Sequence, residues 1–278
     1  MEQIKGLYKL SRPLSTLAGG LAVVLGGYVA GTGNWFNVFL AFLATLLISS
    51  AANAWNDYLD IEIDKINQPK RPLPSGQVSP RAAIIFSIIL TLLSLSIAAF
   101  ISGQAFIIAF LSAIVLYLYS WKLKSTVLWG NITVATISAM SAIFGGVAAG
   151  NPQPAFWLAS IIFVAILGRE VLKTMADYEG DLREHCRTVS TVWGRRRARI
   201  IFFILGAATL TVMLVPYILR VYSPIYAVIV IVGVYPVVYY ILLRVTQNRT
   251  GPQLERLSQL MKYDFMIWFV AVLLGASA

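Results

Sequence analysis

Nine apolar runs, each near the length that carries an α-helix across a bilayer, follow one another through 278 residues with short breaks. They fall at about residues 14–31, 37–55, 82–101, 104–120, 127–149, 154–174, 198–219, 224–243 and 261–277. A soluble fold cannot hide that much apolar surface: 58% of the chain is apolar, 12% is charged, and the mean hydropathy is +0.76. The expected architecture is all-α: a multi-pass membrane protein of nine transmembrane helices, forming one domain over residues 1–278. The first twelve residues are polar and basic and lead into no small-residue cleavage site, which argues against a cleavable signal peptide. The one cysteine, Cys186, excludes an internal disulfide and reads as an inert loop thiol.

Charge supplies the orientation. Basic residues cluster at Lys5 to Arg12, Lys65 to Arg81, Lys122 and Lys124, Arg169 to Arg199, and Arg244 to Lys262. The alternate connections 31–37, 102–104 and 150–154 carry no Lys or Arg, and the connection between the seventh and eighth runs has only Arg220. The positive-inside rule then places the N-terminus in the cytoplasm and the C-terminus outside, in the cell membrane and among membrane lipids. Every Asp and Glu is expected on the same cytoplasmic side. The +10 net charge fits this topology and anionic headgroups. No aromatic–basic RNA-binding motif accompanies it, so nucleic acid is set aside as a partner.

Carboxylates are costly near lipid, yet they gather at two places. The first is Asn56-Asp57-Tyr58-Leu59-Asp60-Ile61-Glu62-Ile63-Asp64, and the second is Asp177-Tyr178-Glu179-Gly180-Asp181. On a helix, Asn56, Asp60 and Asp64 share one face, as do Asp177 and Asp181. Two facing stripes of carboxylate repel unless cations sit between them. Hard divalent ions such as magnesium take oxygen ligands and share them with substrate phosphates. Asn56, Asp60, Asp64, Asp177 and Asp181 are therefore the candidate magnesium ligands, and a magnesium-bridged diphosphate site is the sharpest reading. After the first cluster comes Asn67-Gln68-Pro69-Lys70-Arg71-Pro72-Leu73-Pro74-Ser75-Gly76. Its prolines and glycine stiffen the chain and hold Lys70 and Arg71 near the carboxylates, where arginine takes phosphate oxygens. Each cluster opens one of the two longest cytoplasmic connections, which hints at two repeated four-helix units.

These stretches resemble the signature of the UbiA superfamily of intramembrane prenyltransferases. The likeness is carried by Asn56, Asp57, Asp60 and Asp64 followed by Asn67 to Gly76, and by Asp177 with Asp181 preceded by Lys173. Tyr119-Ser120-Trp121-Lys122-Leu123-Lys124 and Gly130-Asn131 are similar to family elements that follow the fourth span. The resemblance covers nearly the whole chain. It implies nine helices around a central cavity opening at the cytoplasmic side, magnesium on both aspartate motifs, and a polyprenyl diphosphate donor whose C1–O bond ionises. In that chemistry Lys173 and Arg71 neutralise the leaving diphosphate, Asn56 and Tyr119 line a dry cavity around the allylic cation, and Asn131 binds substrate.

Leu10-Ser11-Arg12-Pro13-Leu14 and Arg169-Glu170-Val171-Leu172-Lys173 resemble the archaeal branch of that superfamily. Its members join geranylgeranyl diphosphate to the free hydroxyl of geranylgeranylglyceryl phosphate in ether-lipid synthesis. Thr174 and Ala176 stand where that branch often carries acids. A lipid-phosphate acceptor needs cations of its own, for which Arg12, Lys122 and Lys124 are the candidates. Two other readings stay open. One is an aromatic-acceptor prenyltransferase of quinone, chlorophyll or haem O synthesis. The other is a cation-coupled transporter, which carboxylates confined to one membrane edge disfavour. Arg169 and Glu170 either pair within the bundle or touch substrate. Arg195-Arg196-Arg197 reads as a lipid-facing basic cluster, and His185, the only histidine, has no partner at motif spacing.

Overall fold

The computed structural model describes residues 2–31, 33–183, 186–246 and 248–276, leaving aside the side chains of Leu14 and Asn67; His185 lies outside the described residues. Helices α1 (Glu2–Ser11) and α2 (Pro13–Val29) meet at Arg12. A residue before proline is driven from the right-handed helix, and Arg12 takes the left-handed region instead, at φ 49. Helix α3 (Trp35–Leu59) starts on the Asn34 side chain, breaks at Asp60 and resumes as α4 (Ile61–Asn67). Ser79 and Ser102 cap α5 (Pro80–Ile101) and α6 (Gly103–Trp121) by accepting from the N–H groups of Ala82 and Ala105. Next come α7 (Trp129–Ala148), α8 (Ala155–Ala176), the short α9 (Tyr178–Arg183) and α10 (Val189–Trp193), and α11 (Arg195–Ile218). Helix α12 (Pro224–Ile229) passes through a π turn, Val230–Val234, into α13 (Tyr235–Arg244). Helix α14 (Gly251–Gly275) opens on a capping box of Thr250 and Gln253.

Eight of these rods are long and apolar enough to cross a membrane: α3, α5, α6, α7, α8, α11, α12 with α13, and α14. The first expected span is α2, whose 17 residues cover only about 25 Å. The ninth begins at Gly251, well before the expected residue 261, because its first turns are polar and hydropathy overlooks them.

The chain packs as two compact units whose boundary falls inside α7. One holds residues 1–123 and 140–155, the other 124–139 and 156–278. In the first, α3 is central, with α2, α5 and α6 against it. Val23, Ala41, Ala44, Ala98, Ala105 and Phe144 form much of its core. The backbones of α2 and the second half of α7 nearly touch: a Cβ on Gly26 would strike the Ala142 carbonyl, and one on Gly145 the Val23 carbonyl. A second cluster of Leu10, Ala54, Leu73, Val78 and Ala83 pins the connection after α4 beneath α1, α3 and α5. In the other unit, Leu172, Met175, Val189, Phe202, Ile241 and Leu254 join α8, α10, α11, α13 and α14. Trp268 donates to the Tyr226 hydroxyl at 3.2 Å, which donates to the Met213 carbonyl at 2.8 Å. That chain ties α14, α12 and α11 together.

Candidate active site at two acidic turns

The first turn lies where α3 breaks at Asp60, and the sequence builds it from both sides. Buried Leu73 and Val78 anchor the proline-rich connection, with Val78 N–H on the Pro72 carbonyl at 2.9 Å, so Arg71 cannot swing away from α4. Arg71 Nη1 lies 2.6 Å from Asp64 Oδ2 and 3.9 Å from Asp57 Oδ1. Asp57 also pairs with Arg12. Asn53 and Ser50 steady the Arg12 hinge by donating to the Ser11 carbonyl at 3.2 and 3.5 Å. Asp57 and Asp64 are 3% and 5% exposed, while both arginines keep about a third of their side chains open to solvent. Asn56 Nδ2 donates to Asp60 Oδ2 at 3.0 Å. Trp55 stacks obliquely on Tyr58 and Tyr117 at 5.5 and 5.3 Å, and the Tyr117 hydroxyl is within 2.8 Å of both Ser87 and Thr91 oxygens.

The second turn follows α8, which breaks at Asp177 before α9. Glu170 collects two cations: Arg169 Nη1 at 3.1 Å and Lys173 Nζ at 3.2 Å. Asp177 N–H bonds to the Lys173 carbonyl at 2.9 Å, and Asp181 N–H to the Asp177 carbonyl at 2.9 Å, so the main chain at both aspartates keeps helical register. Asp177 is exposed, yet enough protein stands around it that desolvation raises its pKa; Lys173 pulls it down, and Glu255 and Glu170 add to the rise. Thr174 is buried, donating to the Val171 carbonyl and bonding Ser190 at 2.8 Å, so a hydroxyl serves packing there.

The structure thus brings Arg12, Asn56, Asp60, Asp64 and Arg71 together in one unit, and Lys173, Asp177 and Asp181 in the other. Lys70 is exposed on the first connection. Lys122 lies 4.5 Å over the Trp121 ring, Lys124 is in the short turn Leu123–Ser125, Tyr119 is half-buried near the end of α6, and Asn131 is buried at the start of α7.

Three points differ from expectation. Asp57, absent from the expected ligand set, is the hub of the first network. It stands two helical turns from Asp64, a spacing that the four-residue reading passed over. Arg195 is not merely lipid-facing: it lies 5.5 Å from the Tyr178 ring centre and donates to the Arg249 carbonyl at 2.6 Å. Asp264 is not at the start of its helix. It lies thirteen residues into α14, about 20 Å along the axis, and is 6% exposed in a pocket with Gly168, Phe202 and Thr209. Its Oδ1 has no hydrogen-bond partner among the described residues.

Among the described residues, no three His, Cys, Asp or Glu side chains gather closely enough to form a metal cage. A magnesium ion asks for less: one or two carboxylates, with waters and phosphate oxygens completing its shell. Each turn offers oxygen donors of that kind beside a cation suited to phosphate. Membrane-length helices bearing such turns fit the class of intramembrane enzymes that handle phosphorylated substrates.

The UbiA prenyltransferase family model matches residues 15–276, and the chain belongs to that family. It is an integral membrane prenyltransferase. It is 33% identical to a digeranylgeranylglyceryl phosphate synthase of Thermococcus gammatolerans, over 99% of each chain. A solved structure of a digeranylgeranylglyceryl phosphate synthase in membranes superposes with a TM-score of 0.85 at 28% identity, covering 99% of both chains. A UbiA homologue from Archaeoglobus fulgidus, bound to GPP and Mg2+, shares the fold with a TM-score of 0.74 at 20% identity, covering 96% of this chain and 99% of that one.

Proposed function

We propose that this chain, acting as one functional domain in the cell membrane, transfers geranylgeranyl from geranylgeranyl diphosphate to geranylgeranylglyceryl phosphate. The product is an archaeal-type ether lipid, and magnesium is the required cation. One observation carries the reading: each acidic turn holds a partly exposed cation on a carboxylate, Arg71 on Asp64 and Lys173 on Glu170. The synthase relatives favour the glycerol phosphate acceptor over an aromatic one. The Archaeoglobus homologue, which binds GPP with Mg2+, favours the donor class and the metal.

Diphosphate departs as a concentrated negative charge, so catalysis requires positive charge and donors in place before that charge grows. Arg71 uses part of its guanidinium on Asp64 and keeps further N–H groups for phosphate oxygens. Glu170 directs Lys173 in the same way. Asn56, Asp60, Asp177 and Asp181 would supply oxygen ligands for magnesium, and Asp64 would join them only by sharing its Arg71 partner. The chemistry such a bound ion would supply is charge neutralisation on the leaving diphosphate. As the C1–O bond breaks, Trp55, Tyr58 and Tyr117 beside Asn56, together with Tyr119, offer π-faces to the allylic carbon. The acceptor hydroxyl bonds to C1 and its proton passes to the departing diphosphate. Lys70 binds the donor phosphate, Asn131 contributes to substrate binding, and Lys122 and Lys124 take the acceptor's phosphate. Arg12, committed to buried Asp57, serves mainly to hold the first turn.

Purified protein given geranylgeranyl diphosphate, magnesium and either geranylgeranylglyceryl phosphate or 4-hydroxybenzoate tests this by product mass. The ether lipid forms, only with magnesium, and the benzoate is left unprenylated. Prenylated benzoate without ether lipid would move the chain to the aromatic-acceptor branch.

A further inference from the structure

Between Arg199 and Arg244 the sequence carries one charged residue, Arg220, and none follows Asp264. In the unit that contains the Asp177 turn, Gly251 at the start of α14 backs onto the Ala176 carbonyl, and Arg195 at the start of α11 lies over Tyr178. Both helices run about 36 Å from there. Arg220 therefore stands at the far end of this unit, where α11 finishes and α14 ends, with no carboxylate in the neighbouring sequence to balance it.

The connection around Arg220 is tightly built. The Pro216 carbonyl accepts from the N–H groups of Val221 and Tyr222 at 2.8 and 3.1 Å. Ser223 N–H donates to the Gly275 carbonyl at 2.7 Å, and Tyr222 bridges to Ala276. Closing so short a connection puts Arg220 at φ 58, which a non-glycine residue seldom adopts. The result is a pocket of about 490 Å³ lined by Tyr217, Ile218, Arg220, Tyr222, Ser223 and Pro224.

Tyr222 is 4% exposed, and its hydroxyl has no hydrogen-bond partner among the described residues; neither has Ser223 Oγ. A buried polar atom left without a partner costs about 1–3 kcal/mol, and a small outward turn of either side chain would let a ligand oxygen relieve that penalty. Burial, reinforced by Tyr226, raises the Tyr222 pKa, which keeps the hydroxyl a proton donor. A guanidinium, two hydroxyls and an apolar floor of Ile218 and Pro224, at the end of membrane-crossing helices, match a phosphate with hydrocarbon beneath it.

We propose that this pocket binds the phosphate of a membrane glycerophospholipid, at the membrane face opposite the Asp177 turn. The inference is independent of the enzymatic reading, because no residue of the acidic turns takes part in it.

The test uses purified protein in dodecyl maltoside, a detergent without phosphate. Dioleoyl phosphatidylglycerol, dioleoylglycerol or inorganic phosphate is added; native mass spectrometry counts retained lipid, and thermal unfolding gives the midpoint. Wild type retains one phosphatidylglycerol per chain at this site and its midpoint rises. Arg220→Asn removes the cation but tolerates the left-handed backbone, and it weakens retention by about tenfold or more while prenyl transfer is unchanged. Arg220→Lys, which keeps charge but loses the fork, gives an intermediate loss and an independent reading should the Asn variant fold poorly. Tyr222→Phe leaves the lipid-free midpoint unchanged or higher and reduces the lipid-induced rise. Equal retention by wild type and both Arg220 variants, or dioleoylglycerol held as firmly as phosphatidylglycerol, overturns the proposal. Inorganic phosphate raising the midpoint as far as the lipid overturns the lipid source and assigns the pocket to a free anion.

Discussion

Arg12 and Arg71 each hold a buried carboxylate before any substrate arrives. Arg12→Ala strips Asp57 of its nearest cation, and stability should fall by about 2–4 kcal/mol, the scale of a broken buried pair with one partner partly solvated. Chemical or thermal unfolding of the variant in detergent checks this. Alanine at Lys122 or Lys124 tests the proposed grip on the acceptor's phosphate. In at least one of the two, the acceptor's apparent KM should rise much more than the donor's, because a lost uniform contact weakens binding before it slows chemistry. Steady-state kinetics with each substrate varied in turn decides it. Asp264 makes the opposite case: a buried carboxylate whose Oδ1 lacks a partner among the described residues is a standing cost. Asp264→Leu should raise the unfolding midpoint, by the equivalent of about 1–3 kcal/mol, with prenyl transfer intact. A folded Asp264→Leu protein without turnover would instead make that carboxylate part of the chemistry.

Among the elements, α2 and the second half of α7 are held close, because Gly26 and Gly145 let backbone meet backbone. Gly145→Ala forces its methyl onto the Val23 carbonyl and should cost about 2 kcal/mol or more, read as a lower unfolding midpoint. A midpoint equal to wild type would show that the helices can part without penalty. Helix positions were largely readable from sequence, since runs of about twenty apolar residues have few alternatives in a membrane. Helix ends were less so. The start of α14 is written as Thr250, Pro252 and Gln253, a capping signal in polar sequence that hydropathy does not weigh. In the first acidic stretch the clustering was legible but the pairing of its charges was not. Four-residue spacing grouped Asn56, Asp60 and Asp64, but the helix breaks at Asp60, and the arginines instead collect Asp57 and Asp64. Arg195 meets the Tyr178 ring, a partner that the run of three arginines does not disclose.

For the whole molecule, the basic residues predict that the N-terminus and both acidic turns face the cytoplasm. In a Cys186→Ser background, a cysteine at Gly33 should be labelled only from outside and one at Ser75 only from the cytoplasm; the reverse pattern would invert the topology. On the proposed function, both acidic turns serve one magnesium-dependent prenyl transfer. Its most direct measurement is ether-lipid formation from geranylgeranyl diphosphate and geranylgeranylglyceryl phosphate by wild type, Asp60→Asn and Asp181→Asn, at saturating magnesium. Each substitution keeps size and removes one ligand charge, one from each turn. Turnover should fall about a hundredfold or more in both variants, the scale of a lost electrostatic contact to a transition state, with folding unchanged. Full turnover in either variant would contradict the claim that its turn takes part in the reaction.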